Sequence, residues 1–499
     1  MRGPSISKKQ AVKIEVARPA LESSPPVGAP SQSSIAKVAF ELGGKLVGGG
    51  FLNSFAEMQR AQWLTPEELR DRSDARLRQL LQHAAEHVPF YSRKYKRHGL
   101  SPDDLQQAKN LTALPVMRKA DYRNHEAEEF YATNIPAYRR LHKSTSGSTG
   151  EPFQFCLDRR ALPVIFASHL FYDSWYGLRP FDRYIRIAAS PPAPPSISSH
   201  TPPGTRLRQS ITGTLQSLYE QWTQERISVW EIDAERALSI WKRIEAFRPQ
   251  YVMGYASSLA TIADELLQRG IRLSHPLRGV VTIAETLSPT RRRLLDEFFA
   301  APIINRYGLR ELGSWSAQSC SASPEQFHIN TEIIVCEILR DDGTPCAPGE
   351  RGRVVLTDLY NYARPFIRYD TGDLATAGNE QCSCGRGLPL MSEIEGRSQE
   401  CLRTPSGKEI SPAVLGHYLF VYHNHLAVVR HYQLVQESSD RVRLLIVPDK
   451  GWDEQKRDHL RADLAAWIGD EMKIEVEAVA EIPKEKSGKR PIIKLRRDV

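Results

Sequence analysis

Between residues 251 and 308 the chain switches repeatedly between two hydrophobic periods, and that alternation limits its fold more than any other feature. Strand-like YVMGY (251–255) precedes helix-patterned LATIADELLQRG (259–270). GVVTIAE (279–285) precedes PTRRRLLDEFF (289–299), and the apolar APIINRYG (301–308) follows. Strands alternating with helices of this length predict an α/β fold with parallel-rich sheets flanked by helices. The last hundred residues repeat the theme on a smaller scale. VRHYQLVQ and RVRLLIVP read as strands, Leu460, Leu464, Trp467 and Ile468 line one helix face, and IEVEAV alternates as a strand. We therefore expect a large domain over 56–396 and a small C-terminal α/β domain over 397–499, hinged near Gly396 and Arg397.

Upstream, Leu77, Leu80, Leu81, Ala84 and Val88 follow the 3.6-residue period from Arg76, and Pro89 is expected to stop that amphipathic helix. Residues 1–34 are rich in Ser, Pro and Ala and bury too little apolar surface to offset ordering entropy. Residues 35–55 carry Lys37, Glu41 and Lys45 around a Gly-rich middle and read as a loosely docked helix, so 1–55 is expected to be a tail.

At 499 residues the chain exceeds one ordinary domain. With 41% hydrophobic and 25% charged residues it is globular in composition, and no apolar run is long enough to span a bilayer. The formal net charge of +8 favours anionic partners such as nucleotides but lacks the clustered basic face of a nucleic-acid binder. Seven cysteines without a secretory signal suggest a reducing, cytoplasmic setting, where clustered thiols more often hold metal than form disulfides.

Four stretches carry chemistry. Ser144, Thr145, Ser146, Gly147, Ser148, Thr149 and Gly150 form a loop of small hydroxyls and glycines whose backbone N–H groups can approach phosphate oxygens. It lacks the Gly-Lys-Ser/Thr ending of a Walker loop, which disfavours a P-loop ATPase. Tyr307, Gly308, Leu309, Arg310 and Glu311 follow an apolar strand, placing an aromatic face and a carboxylate where open α/β sheets bind ligands. In Arg368-Tyr369-Asp370-Thr371-Gly372-Asp373 an Asp after a glycine turn is suited to accept both ribose hydroxyls. Lys489, in PKEKSGK (483–489), is a point charge suited to a phosphate or carboxylate. Each stretch alone has an ordinary reading as linker, turn or solvated tail.

Together and in this order they resemble the acyl-adenylate-forming superfamily of acyl-CoA synthetases, luciferases and peptide-synthetase adenylation domains. Residues 80–123, with LLQHAAEHVPFYSRKYKRHGL and LPVMRKADYR, resemble its phenylacetate–coenzyme A ligase branch and the capsule-associated relatives of that branch. The resemblance covers about residues 76–499. It implies ATP-dependent activation of a small carboxylic acid, aromatic or otherwise, to acyl-AMP, followed by transfer to coenzyme A. Transfer to a carrier protein, amine or sugar hydroxyl, or a non-catalytic nucleotide-binding homologue, are the alternatives.

The same resemblance implies roles. Loop 144–150 would cradle the β- and γ-phosphates, and Ala284, Glu285, Asn305 and Tyr307 would surround the adenine. Glu311 would hold Mg²⁺ and Asp373 the ribose, with Arg397 nearby. Lys489 would neutralise charge between carboxylate and α-phosphate. The acid would lie near Tyr255, Ala256 and the 281–285 strand end. The pattern departs at Arg310, where the family usually has a Thr or Ser that contacts the α-phosphate, and Glu400 stands at the usual hinge Asp.

Cys382 and Cys384 are a tight thiol pair, with Cys320 and His328 upstream. Three thiols and an imidazole make a full tetrahedral zinc set, although the spacing fits no standard zinc finger and unrelated buried thiols are the other reading. Members of the branch that look similar here carry a structural zinc, so the resemblance implies one on these residues. It would tie together two loops of the active site, since Cys320 follows Glu311 and Cys382 follows Asp373 at the same sequence interval. Cys156, Cys336, Cys346 and Cys401 read as small apolar residues.

Overall fold

The computed structural model describes residues 50–100, 108–144, 153–179, 182–188, 223–227, 234–378, 381–397, 402–406, 409–410, 415, 428–469, 471–483 and 491–496. Its largest element is an eight-stranded sheet in the order Leu390–Ser392, Gln326–Ile329, Trp315–Ser319, Ile303–Gly308, Gly279–Ile283, Tyr251–Tyr255, Tyr184–Ile187, Gln224–Ile227. The five strands from Ile303–Gly308 to Gln224–Ile227 are parallel neighbours. The first three continue the sheet antiparallel. The alternation of sequence periods over 251–308 thus corresponds to three of these five strands. The helices between the strands, Ala256–Leu267 and Pro289–Phe299, bury Leu259, Ile262, Leu266, Leu294 and Phe298 against it. Ser288 caps the second helix by accepting from Arg291 N, and Pro289 follows at a position where a missing N–H costs nothing.

A second sheet of four antiparallel strands, Ile334–Leu339, Arg351–Asp358, Tyr369–Thr376 and Gly396–Arg397, lies in a core shared with the N-terminal helices. Helix Pro66–His87 starts on a capping box between Thr65 and Glu68 and buries Leu77, Leu80, Leu81 and Ala84, as the periodicity predicts. It ends at His87, but Pro89 does not end helical structure. Val88 closes one helix and opens the next, Pro89–Arg97, whose first turn has no use for the proline's absent donor. Helix Phe51–Ala61 spans the expected tail boundary at residue 55, with Phe51 and Met58 in the same core.

The C-terminal residues have a core of their own, from Leu402 to Ile493. Strands Lys473–Ala478, Arg441–Pro448, Val429–Ser438 and Ile493–Leu495 form one mixed sheet, packed with helix Glu454–Ile468. Leu460, Leu464 and Ile468 are buried there, and Trp467 is partly buried. Among the described residues no helix is long and apolar enough to cross a membrane.

Candidate functional site

Three parallel strands set the site's edge. In their register Tyr255 stands opposite Ile283, and Ile283 opposite Arg306. The segments that follow them, beginning at Ala256, Ala284 and Leu309, therefore leave from one side of the sheet, at the strands' C-terminal ends. The turn after Ile283 is forced: Ala284 sits at φ 62°, a left-handed conformation that a non-glycine residue adopts at a cost, commonly near functional sites. Glu285 next to it accepts from Ser257 N at 2.8 Å and from Ser257 Oγ at 3.0 Å, so its carboxylate caps helix Ala256–Leu267 at the positive end of the dipole. Tyr255 is half-buried against the apolar cluster of Met253, Val281 and Ile304, and Ala256 is fully buried in the first helical turn.

The strand Ile303–Gly308 brings in the second group. Asn305 lies inside the sheet, its Oδ1 accepting from Thr282 Oγ1 at 3.1 Å. Gly308 is required, because a Cβ there would lie 2.7 Å from Ser314 O and 2.8 Å from the Trp315 ring. Tyr307 Oη donates to Asp373 Oδ2 at 2.7 Å, joining the large sheet to the second one. Burial pushes the Tyr307 phenol well up, and the Asp373 charge adds to it. Asp373 is paired in register with Arg397. Glu311, also buried, accepts from Tyr369 Oη at 3.3 Å and has Lys119 Nζ 3.7 Å from its Oε1. Tyr255, Ala284, Glu285, Tyr307 and Glu311 thus lie on or just after three neighbouring strands, with Asp373 bonded to Tyr307.

Arg310 is exposed. Its positive charge, after burial, lowers the pKa of Lys143, which stands just before Ser144 at the end of strand Arg140–Ser144. Loop residues 145–150, the hinge residue Glu400 and Lys489 lie outside the described residues. Sequence reasoning assigned no role to Lys119 or Lys143. The signal for Lys119 was within LPVMRKADYR, a stretch read only for its resemblance.

On the antiparallel side of the same sheet, Cys320, His328, Cys382 and Cys384 place one ligand atom each within 4.8 Å of all the others. Cys320 Sγ is 3.6 Å from Cys382 Sγ, and Cys384 Sγ is 3.5 Å from His328 Nε2. The sulfur pair is too far apart for a disulfide, at about 2.05 Å. Two sulfurs each about 2.3 Å from a tetrahedral zinc would stand roughly 3.8 Å apart, close to what is found. Ser323 N and Cys384 N donate to the sulfurs of Cys320 and Cys382. The edge of Trp175 meets the His328 ring. The donor set fits a closed, four-ligand ion.

Residues 402–496 match the CapK C-terminal domain. Over 375 residues the chain is 29% identical to the phenylacetate-coenzyme A ligase of Thermus thermophilus, covering 74% of this chain and 79% of that one. It is 21% identical over 410 residues to the protein CapK of Staphylococcus aureus, covering 80% and 83%. Among solved structures, 2-hydroxyisobutyryl-CoA ligase in its postadenylation state, in complex with R3-HIB-AMP, superimposes with a TM-score of 0.71 at 19% identity, over 88% of this chain and 92% of that one. The same ligase with 2-HIB-AMP and CoA, in its thioesterification state, gives 0.57 at 20% identity over the same shares. With the motif order, the chain is thus similar to the phenylacetate-coenzyme A ligases and to CapK over about three quarters of its length, and it shares the fold of 2-hydroxyisobutyryl-CoA ligase.

Proposed function

We propose that the protein is an AMP-forming acid–thiol ligase. A carboxylate oxygen attacks the α-phosphorus of ATP, pyrophosphate leaves, and the resulting acyl-AMP passes its acyl group to the sulfur of coenzyme A as AMP departs. The observation that carries this reading is the convergence of Tyr307, Asp373 and Glu311, from distant stretches, at the C-terminal edge of a parallel sheet. The relatives' names support the acid and the thiol.

In this reading Asp373 accepts the ribose hydroxyls near Arg397, and Tyr307 keeps the Asp373 carboxylate in place while its ring faces the adenine with Ala284, Glu285 and Asn305. Glu285 contributes through its backbone, since its carboxylate caps a helix. The 144–150 loop and Gly308 let the backbone approach the phosphates. Glu311 would hold Mg²⁺, which would supply positive charge to the phosphates. Until then Lys119 balances the carboxylate. Arg310 replaces a neutral hydroxyl with a guanidinium and, with Lys143, makes the phosphate end more cationic. Lys489 neutralises the charge that builds as the carboxylate attacks. The acid's side chain lies by Tyr255 and Ala256. Cys320, His328, Cys382 and Cys384 would hold a structural Zn²⁺ that ties their segments together. Residues 397–499 move as a lid about 397–400.

Purified protein, ATP, Mg²⁺ and a panel of carboxylic acids should exchange labelled pyrophosphate into ATP, and added coenzyme A should give a thioester detectable by mass. Exchange that stays at blank for every acid rejects the ligase and leaves a nucleotide-binding homologue. Exchange without thioester would move the acceptor to a carrier protein, amine or sugar hydroxyl.

A further inference from the structure

On helix Ala256–Leu267 the carboxylate of Asp264 stands among apolar neighbours. Leu259, Ile262, Ala263 and Leu266 of that helix are buried in the core beneath the sheet. Asp264 is itself only 4% exposed, and an ionised carboxylate so placed is costly unless paired. Its partners come from the C-terminal residues. Arg430 donates from Nε at 3.0 Å and from Nη2 at 2.7 Å to Asp264 Oδ2, and His431 Nε2 is 3.1 Å from the same oxygen. Gln268, one turn along the helix, donates to Oδ1 at 2.9 Å. Burial works to raise the Asp264 pKa, but the bonds from His431 and Arg430 prevail and hold it at about 2.

The next residue of the same strand, Tyr432, extends the contact. Its buried phenol is pushed up by desolvation and drawn back by Arg291 and Ser288, at the start of helix Pro289–Phe299. Arg291 Nη1 is in turn 3.9 Å from Glu285 Oε2, at the strand edge of the proposed site. Three consecutive side chains of strand Val429–Ser438 are thus planted on the large body. The end of the chain is fixed to that strand too: Leu434 pairs with Ile493, Leu434 N donates to Ile492 O at 2.8 Å, and Gln433 Nε2 donates to Pro491 O at 2.8 Å. Pro491 is two residues beyond Lys489 in the sequence.

We propose that Asp264, gripped by Arg430 and His431, is a positioning latch that sets the C-terminal residues for adenylation and opens for acyl transfer. The proposal rests on the two-step reading given under Proposed function. Its physical basis is that a charged pair buried between two bodies has no favourable intermediate state. The carboxylate is satisfied when gripped by the guanidinium in its planar fork, and satisfied again in water once the lid has left. A half-open lid leaves it desolvated and unpaired, so the two poses are separated discretely. Asp264, Arg430 and His431 need not touch substrate. They act by fixing the strand on which the chain's end is anchored.

The test separates the half-reactions. Asp264→Asn, and independently Arg430→Gln on the other face, are compared with wild type in pyrophosphate exchange and in thioester formation from pre-formed acyl-AMP and coenzyme A. The latch predicts exchange about tenfold slower in both variants, the usual scale of a coupling between two states, with thioester formation unchanged or faster. Arg430→Lys should recover part of the exchange rate. Loss of both half-reactions in equal measure, or of neither, in a variant whose thermal unfolding matches wild type, overturns the latch. A wild type that exchanges with no acid at all overturns the ligase reading instead, a distinct result.

Discussion

Tyr307 and Asp373 stand 66 positions apart in the sequence, and their side chains meet at 2.7 Å in a buried hydrogen bond. Tyr307→Phe should leave the strand intact and release Asp373. The expected result is a KM for ATP raised severalfold with kcat less affected, and a stability loss of about 1 kcal/mol, the net value of one such bond. Steady-state kinetics at varied ATP and denaturant titration check both. Asp358 gives a pH signature unrelated to catalysis. Burial raises its pKa from 3.8 to about 7, against the pull of the Tyr360 and Asn361 backbone donors. The folded state then keeps a proton that the unfolded chain releases near pH 4. Stability should therefore fall as pH rises between about 4 and 7, by up to roughly 1.4 kcal/mol per unit, and level off above. Asp358→Asn removes that slope, so its melting temperature relative to wild type should be more favourable at pH 8 than at pH 5. Single residues divide sharply in how far the sequence disclosed them. Tyr307, Glu311 and Asp373 sit in motifs dense enough to be singled out. Lys143 becomes visible only in three dimensions, since a lone lysine in sequence is indistinguishable from a solvated one, and Lys119 lay in a stretch read only for its resemblance.

At the scale of elements, three of the five parallel strands, Tyr251–Tyr255, Gly279–Ile283 and Ile303–Gly308, were legible because they alternate with helices that carry their own period, whereas Tyr184–Ile187 and Gln224–Ile227 were not singled out. Helix Pro289–Phe299 begins and ends where PTRRRLLDEFF does, with Ser288 as its cap. The antiparallel extension was not. Trp315–Ser319 and Gln326–Ile329 are short, mix polar with apolar residues, and owe their conformation to partners in the sheet rather than to a local period. Pro89 ends its helix as expected, but the next helix that it opens was not foreseen, because a proline blocks the interior of a helix yet suits its first turn. The cysteine and histidine cluster belongs to this scale as well, since it brings together side chains from the loop after Trp315–Ser319, the strand Gln326–Ile329 and the 382–384 turn. Cys382→Ser should reduce bound zinc from one equivalent toward none, measured by metal analysis. Binding free energy at structural sites is on the order of 10 kcal/mol, so the melting temperature should drop by many degrees. A strong chelator should reproduce the drop in wild type and leave the variant unmoved.

For the whole molecule, the proposed reaction raises the question of how the C-terminal residues would serve two chemical steps, and Lys489 and Asp264 would answer it differently. In the proposed reaction Lys489 acts by charge on the carboxylate and α-phosphate, whereas Asp264 acts by holding the lid. Lys489→Ala removes a preorganised charge without loosening the Arg430 and His431 grip, and should slow adenylation by about 10², or roughly 2.7 kcal/mol of barrier. Thioester formation from supplied acyl-AMP should be unaffected, because no pyrophosphate leaves in that step. Asp264→Asn should give the same direction with a smaller loss, and combining the two should cost less than the product of the separate losses, since a lid without its lysine gains little from correct placement. The comparison is made in pyrophosphate exchange at saturating ATP for wild type, both single variants and the double. Losses that multiply in full would mean that latch and lysine act independently, and that the contact between Asp264 and the C-terminal strand stabilises the assembly without directing its chemistry.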